Sequence, residues 1–193
     1  IVRTTAGSID LAAAHDVQLG STTSPTAPAV VYVAGRPQAN ADTSDPSAWF
    51  TAHGGNLTVE AGNDVKGTPA VQLFGAWFEH VGATHEGGDP VPVSWWSNLG
   101  AFRLGLGPFG GGSIEVQAGR DIVNLGVVAP TSAQTVTTTP AALQVDNGGD
   151  VTVRAGRDIA GGTFLLGRGD GVLQAGNRIM EGDAISATRV GKI

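Results

Sequence analysis

Hydrophobic and polar positions alternate along this chain in short bursts, and the bursts share one frame. In Leu57-Thr58-Val59-Glu60-Ala61 every second residue is apolar and the last is small, the period of a strand with one buried face and one wet face. The pattern returns in Ile114-Glu115-Val116-Gln117-Ala118 and in Val151-Thr152-Val153-Arg154-Ala155. Its flanks return with it, so the unit reads Gly-Gly-x-φ-x-φ-x-Ala-Gly-x-Asp-φ, where φ is aliphatic. Full copies begin at Gly54, Gly111 and Gly148, and weaker ones cover residues 7–17 and 173–179. Leu57, Val59, Ala61, Ile114, Val116, Ala118, Val151, Val153 and Ala155 are therefore the expected core, with Thr58 and Glu60 pointing outward. The glycine after each alanine is expected to permit a positive-φ corner, and the polar pair that follows to hydrogen-bond locally before Val65 turns inward again.

The repeated alanines Ala13, Ala61, Ala118, Ala155 and Ala175 lie 48, 57, 37 and 20 residues apart. The last three gaps are near multiples of about 19, which predicts intervening coils whose motif has decayed. The first gap predicts an insertion between Asp16 and Gly54. A coil of that length with three short strands has the geometry of a parallel β-helix stacked at about 4.8 Å. The expected fold is all-β: a single parallel β-helix, or solenoid, of roughly nine or ten coils spanning residues 1–193. Residues 74–110 lack the repeat and collect Phe74, Trp77, Phe78, Trp95, Trp96, Phe102 and Phe109. They are expected to leave the helix as an aromatic-rich lobe, folded back as a hairpin or irregular segment. Strand neighbours alternate sides, so one of Trp95 and Trp96 should be partly exposed.

Composition agrees with this reading. Glycine supplies 30 of 193 residues, more than twice the usual ~7%. A net charge of -6 argues against nucleic acid as a partner. The longest charge-free stretch, residues 122–145, is broken by Pro130 and Pro140, so no membrane-spanning helix is expected. The chain has no cysteine, which excludes disulfides and thiolate chemistry. It opens at Ile1 without a basic or signal-type apolar segment, and reads as a piece of a longer polypeptide whose targeting lies elsewhere.

Motifs with chemical potential are few. Gly105-Leu106-Gly107-Pro108-Phe109-Gly110 spells G-x-G-x-x-G, but a β repeat follows it where a nucleotide site needs a helix. Glu79, His80, His85, Glu86 and Asp89 lie close in sequence, yet Gly87-Gly88 denies them a helix that would aim ligands one way; a solvated loop is expected. Asp16, Asp64, Asp121 and Asp158 would line one corner. Arg120 and Arg157 precede two of them, which favours corner hydrogen bonding over calcium. No metal site, cofactor site or catalytic residue is assigned. Asn56-Leu57-Thr58 spells a glycosylation sequon but lies in a core strand. Arg168-Gly169-Asp170, between Gly167 and Gly171, is an integrin-type tripeptide that chance also supplies. With Trp95 and Trp96, which can stack on sugars or simply pack, it is a candidate receptor or glycan contact.

The Gly-Gly-x-φ-x-φ-x-Ala-Gly-x-Asp-φ units closely resemble the repeats of the filamentous haemagglutinin family, large exoproteins exported by two-partner secretion in Gram-negative bacteria. Trp95-Trp96-Ser97-Asn98-Leu99 and Asn124-Leu125-Gly126-Val127-Val128-Ala129-Pro130-Thr131 resemble the same passengers. The family's Asn-Pro-x-Gly secretion signature is not seen, which places this piece downstream in the passenger. The resemblance implies a right-handed helix and a non-enzymatic adhesin or stalk, extracellular or on the cell surface. It also implies partners: a receptor or glycan on a host or neighbouring cell, and an outer-membrane transporter for the parent chain. Two other functions fit a β-helix. One is a polysaccharide lyase or hydrolase using carboxylates among Asp42, Asp45, Glu79, Glu86 and Asp89; the other is the stalk of a toxin-delivery protein.

Overall fold

A computed structural model describes residues 1–20, 27–38, 50–68, 72–81, 94–136 and 142–181. The chain is all-β, and its framework is three five-stranded parallel sheets. It visits them in fixed order, making five passes among the described residues. The first pass is Val2–Thr4, Ile9–Ala13 and Val17–Gln18; the second is Ala29–Val33, Leu57–Ala61 and Val65–Lys66. The third is Leu104–Pro108, Ile114–Ala118 and Ile122–Val123; the fourth is Gly126–Ala129, Val151–Ala155 and Asp158–Ala160. Thr163–Leu166, Gly171–Ala175 and Arg178–Met180 complete the fifth.

The alternation read from the sequence sets the register of the second sheet. Leu57 pairs with Ile114 and Ile114 with Val151, while Val59, Val116 and Val153 form the next column inward. All six, with Ala61, Ala118 and Ala155, are buried in one cluster that takes in Val33, Leu106, Ile122, Val127 and Ile159 from the other sheets. The five repeat alanines are direct neighbours, in the order Ala13, Ala61, Ala118, Ala155, Ala175. No pass intervenes between any two of them, so the nine or ten coils inferred from spacing become five passes. The surplus residues are excursions at two of the three corners. The corner between the second and third sheets never lengthens: residues 14–16, 62–64, 119–121, 156–157 and 176–177 fill it. Between the first and second sheets, by contrast, the chain spends residues 34–56 in one pass and only 5–8 in another.

The corner glycines serve a purpose other than the one expected. Gly62, Gly119 and Gly156 are not among the positive-φ residues. A Cβ built on Gly119 would collide with the carbonyl oxygen of Gly62, and one on Gly156 with that of Gly119. These positions lack side chains because backbones of successive passes touch there, a use of glycine distinct from left-handed turns. Because the obstructing atom is backbone, Gly119→Ala should cost about 3 kcal/mol, the upper part of the overpacking range. In a domain of this size that lowers Tm by roughly 6–12 °C. Gly75→Ala, with open space around its added Cβ, is the control; equal melting temperatures for the two variants would refute the contact argument.

The first sheet is covered on both faces, which explains the unbroken apolar run Ala29–Val33, buried along its whole length. Val31 and Val33 face the shared core, whereas Val30, Tyr32 and Val128 face outward onto Trp77, Phe102 and Phe109. The covering lobe is a four-stranded antiparallel sheet, ordered Ala142–Asn147, Thr131–Val136, Ser94–Ser97, Phe78–Val81. Two excursions build it. The expected lobe at 74–110 therefore needs two corrections: Leu104–Pro108 belongs to the first parallel sheet, paired with Ala29–Val33, and half the lobe's sheet comes from residues 131–147. Gly105, at φ +108, is what disguises that strand; a Cβ there would press on the Gly126 carbonyl.

Candidate functional site

At the constant corner the repeated aspartates form a ladder. The Asp16 carboxylate accepts the backbone N–H of Asp64 at 3.1 Å, Asp64 accepts that of Asp121 at 3.1 Å, and Asp121 accepts that of Asp158 at 3.3 Å. Cations from the same and from adjacent passes interleave with it. Lys66 Nζ lies 2.8 Å from Asp64 and 3.7 Å from Asp16, and Arg120 Nε lies 3.6 Å from Asp64. Arg157 makes two hydrogen bonds to Asp121, and Arg178 Nη2 lies 3.3 Å from Asp158. The corner hydrogen bonding expected from turn chemistry is present within the second pass, between Lys66 and Asp64, but the aspartate ladder itself runs from pass to pass. Among the described residues no three His, Cys, Asp or Glu side chains converge as metal ligands.

This setting lowers three carboxyl pKa values. Burial pushes the Asp64 carboxyl up, but the Lys66 hydrogen bond, the Asp121 N–H and the charges of Lys66 and Arg120 together hold it below its ordinary value. The Arg157 hydrogen bond lowers Asp121 against the opposing effect of burial. Arg178 and Asn177 lower Asp158 against the same opposition. Unfolded aspartates take up protons near pH 4, whereas these folded ones do so only at lower pH. The unfolded state thus binds more protons in that window, and acid favours it. The ladder's contribution is whole above about pH 5 and is lost as pH falls below about 4. Melting curves from pH 7 down to pH 3 should show this decline, and Asp121→Asn should make it shallower; an unchanged slope would remove the ladder from the acid response.

A second ladder, at the residue after Gly-Gly, escaped the sequence reading. Ser8 Oγ accepts the Asn56 N–H at 3.1 Å, Asn56 Oδ1 that of Ser113 at 3.0 Å, Ser113 Oγ that of Asp150 at 3.2 Å, and Asp150 Oδ1 that of Asp170 at 2.9 Å. The signal was present, since this position is always Ser, Asn or Asp. It reinterprets two motifs. Asn56, the sequon asparagine, has its side-chain oxygen committed to the next pass. Arg168-Gly169-Asp170 is the Gly-Gly-x start of the fifth copy: Gly169 stacks on Gly149, and Asp170 continues the ladder. Arg168 and Asp170 are nevertheless exposed.

Trp96 is 1% exposed and packs edge-to-face on Phe50, with ring centroids 6.1 Å apart. Trp95 is half-buried, its indole N–H reaching Thr131 Oγ1 at 3.4 Å. The expected asymmetry holds. Where lobe and stack meet, a small polar cleft is lined by Thr51, Ser97, Thr131, Ser132 and Asn147. Its groups are largely spent on one another: Asn147 Nδ2 donates to Thr51 O at 2.8 Å and to Ser132 Oγ at 2.9 Å. At the lobe's outer end Phe74 is 46% exposed and stacks on Phe78 at 4.5 Å. Glu79 Oε1 accepts the Asn98 side-chain N–H at 2.6 Å, and His80 pairs with Trp95 across the strands. His85, Glu86, Asp89, Asp42 and Asp45 lie outside the described residues. Set against known protein families, characterised proteins and solved structures, the chain gives no match. No helix among the described residues is long and apolar enough to cross a membrane.

Proposed function

We propose that this chain is a non-enzymatic adhesin or stalk segment of a filamentous haemagglutinin-like exoprotein, extracellular or on the surface of a Gram-negative cell. In this reading the three parallel sheets are a right-handed parallel β-helix, the hand following the general preference of parallel crossovers. The observation that carries the reading is the ladder pair. The polar residues that the repeat specifies hold one pass to the next, as a rigid spacer requires, while the outward positions of the second sheet vary from pass to pass. From the first pass to the fifth the stack rises roughly 19 Å at the strand spacing. Contact with a host or neighbouring cell falls to the half-buried Trp95 and the exposed Arg168-Gly169-Asp170 turn; the burial of Trp96 takes it out of that role. Export falls to an outer-membrane transporter acting on the parent chain.

Beads coated with the chain should bind cultured cells saturably, and free chain should compete with them. Binding equal to that of beads carrying a protein of matched charge would leave the adhesive role without support. In parallel, incubation with acidic and neutral polysaccharides, with and without calcium, should release no reducing ends and no unsaturated products. Turnover that is lost on mutating two of Asp42, Asp45, Glu79, Glu86 and Asp89 would move the assignment to a carbohydrate-cleaving enzyme.

A further inference from the structure

Asn147 ends the lobe strand Ala142–Asn147 and leads straight into Gly148-Gly149, where the fourth pass takes up the repeat. Its backbone sits at φ +67, in the left-handed region that asparagine tolerates better than most side chains. The side-chain amide joins two excursions: Nδ2 donates to the Thr51 carbonyl, in the excursion of the second pass, at 2.8 Å, and to Ser132 Oγ, in the lobe, at 2.9 Å. Both of its hydrogens are thus committed. Thr51 and Ser132 are each 5% exposed, so water competes little for either bond.

Asn147 is also the only asparagine of the chain that precedes glycine; the other six precede alanine, leucine, aspartate or arginine. A backbone nitrogen whose own residue carries no Cβ meets the least obstruction on approaching the side chain before it. When the Gly148 nitrogen bonds to Asn147 Cγ, the Cγ–Nδ2 bond breaks and ammonia leaves, taking the proton that the Gly148 N–H gives up. Water then opens the cyclic imide at one carbonyl or the other, leaving aspartate or isoaspartate. The reaction needs no reagent but water.

We propose that Asn147-Gly148 is a latched self-modification site: while the lobe is seated its two hydrogen bonds hold the amide back from Gly148, and once the lobe lifts the amide is lost and the lobe cannot fasten again. The product carboxylate has no hydrogen to donate and sets a negative charge against the Thr51 carbonyl. Isoaspartate also adds a methylene to the backbone between the lobe strand and Gly148. Neither ladder uses the Asn147 side chain, so an aspartate there leaves the bonds between passes in place.

Peptide mapping by mass, after the full chain has stood in warm, mildly alkaline buffer, tests the latch. Conversion should favour Asn147 over every other asparagine and run faster in denaturant than in the folded chain. In folded Ser132→Ala it should rise about fivefold, the factor for one lost hydrogen bond. Hydrogen exchange tests the release. Asn147→Asp, folded by circular dichroism, should exchange the amides of Ser94–Ser97 and Thr131–Val136 at least about twice as fast as wild type, with Ile114–Ala118 unchanged. Asn147→Gly, which suits the left-handed backbone and has no amide, should loosen the lobe as well. Equal rates in folded and denatured chain, conversion favouring another asparagine, or no acceleration in Ser132→Ala would overturn the proposal. So would unchanged lobe exchange in Asn147→Asp and Asn147→Gly.

Discussion

Ile114→Asp should leave no cooperatively melting protein. Ile114 is 1% exposed and sits at the middle of its column, paired with Leu57 on one side and Val151 on the other. Truncating a buried isoleucine costs about 2–5 kcal/mol, and an unpaired carboxylate in that apolar environment adds several more. Together these match the whole stability of an ordinary domain, about 5–15 kcal/mol. Ile114→Val should cost only about 0.5–1.5 kcal/mol, and Glu115→Gln, on the outward side of the same strand, about 1 kcal/mol or less. A soluble Ile114→Asp protein with unchanged circular dichroism and a sharp melt would contradict the shared core.

Trp96→Ala should be the most damaging change in the lobe, at about 3–5 kcal/mol and a Tm loss of roughly 6–20 °C. Trp95→Ala, at a half-buried site, should cost far less. The indole N–H of Trp96 is buried without an acceptor among the described residues, a cost of about 1–3 kcal/mol. Trp96→Phe removes that donor while keeping most of the ring, and should be much milder than Trp96→Ala. Comparable losses for Trp95→Ala and Trp96→Ala would contradict the observed burial. If Trp95→Ala abolishes cell binding at an unchanged melting temperature, Trp95 belongs to the recognition surface; if binding persists, its role is packing.

The parts of this fold that were legible in the sequence are those governed by local period. Alternation identified the nine core residues of the second sheet, because a strand with one buried face leaves no other pattern. The count of passes was not legible. Spacing arithmetic assumes coils of constant length, and the excursions before Gly54 and after Lys66 violate it without leaving a trace in the motif. Leu104–Pro108 was hidden because its two glycines and its proline replace the aliphatics that mark a strand elsewhere. The lobe strands at 131–147 carry Thr, Gln and Ser where a core strand carries valine. Their pairing with Ser94–Ser97 is a contact between excursions of different passes, invisible to any local window. For the candidate site, the aspartate column was visible as a repeat, but its partners were not, since a hydrogen bond to the next pass spans 19 to 57 residues of sequence.

The corner of fixed length between the second and third sheets has a practical consequence. Because both ladders and the glycine contacts lie on either side of the second sheet, the frame is locked there and tolerates change elsewhere. The chain already accommodates excursions as different as residues 5–8 and 34–56 at one of the other corners. Foreign peptides grafted into that corner should therefore be displayed without shifting the register beneath them, whereas one extra residue between Ala118 and Asp121 should disrupt both neighbouring passes at once.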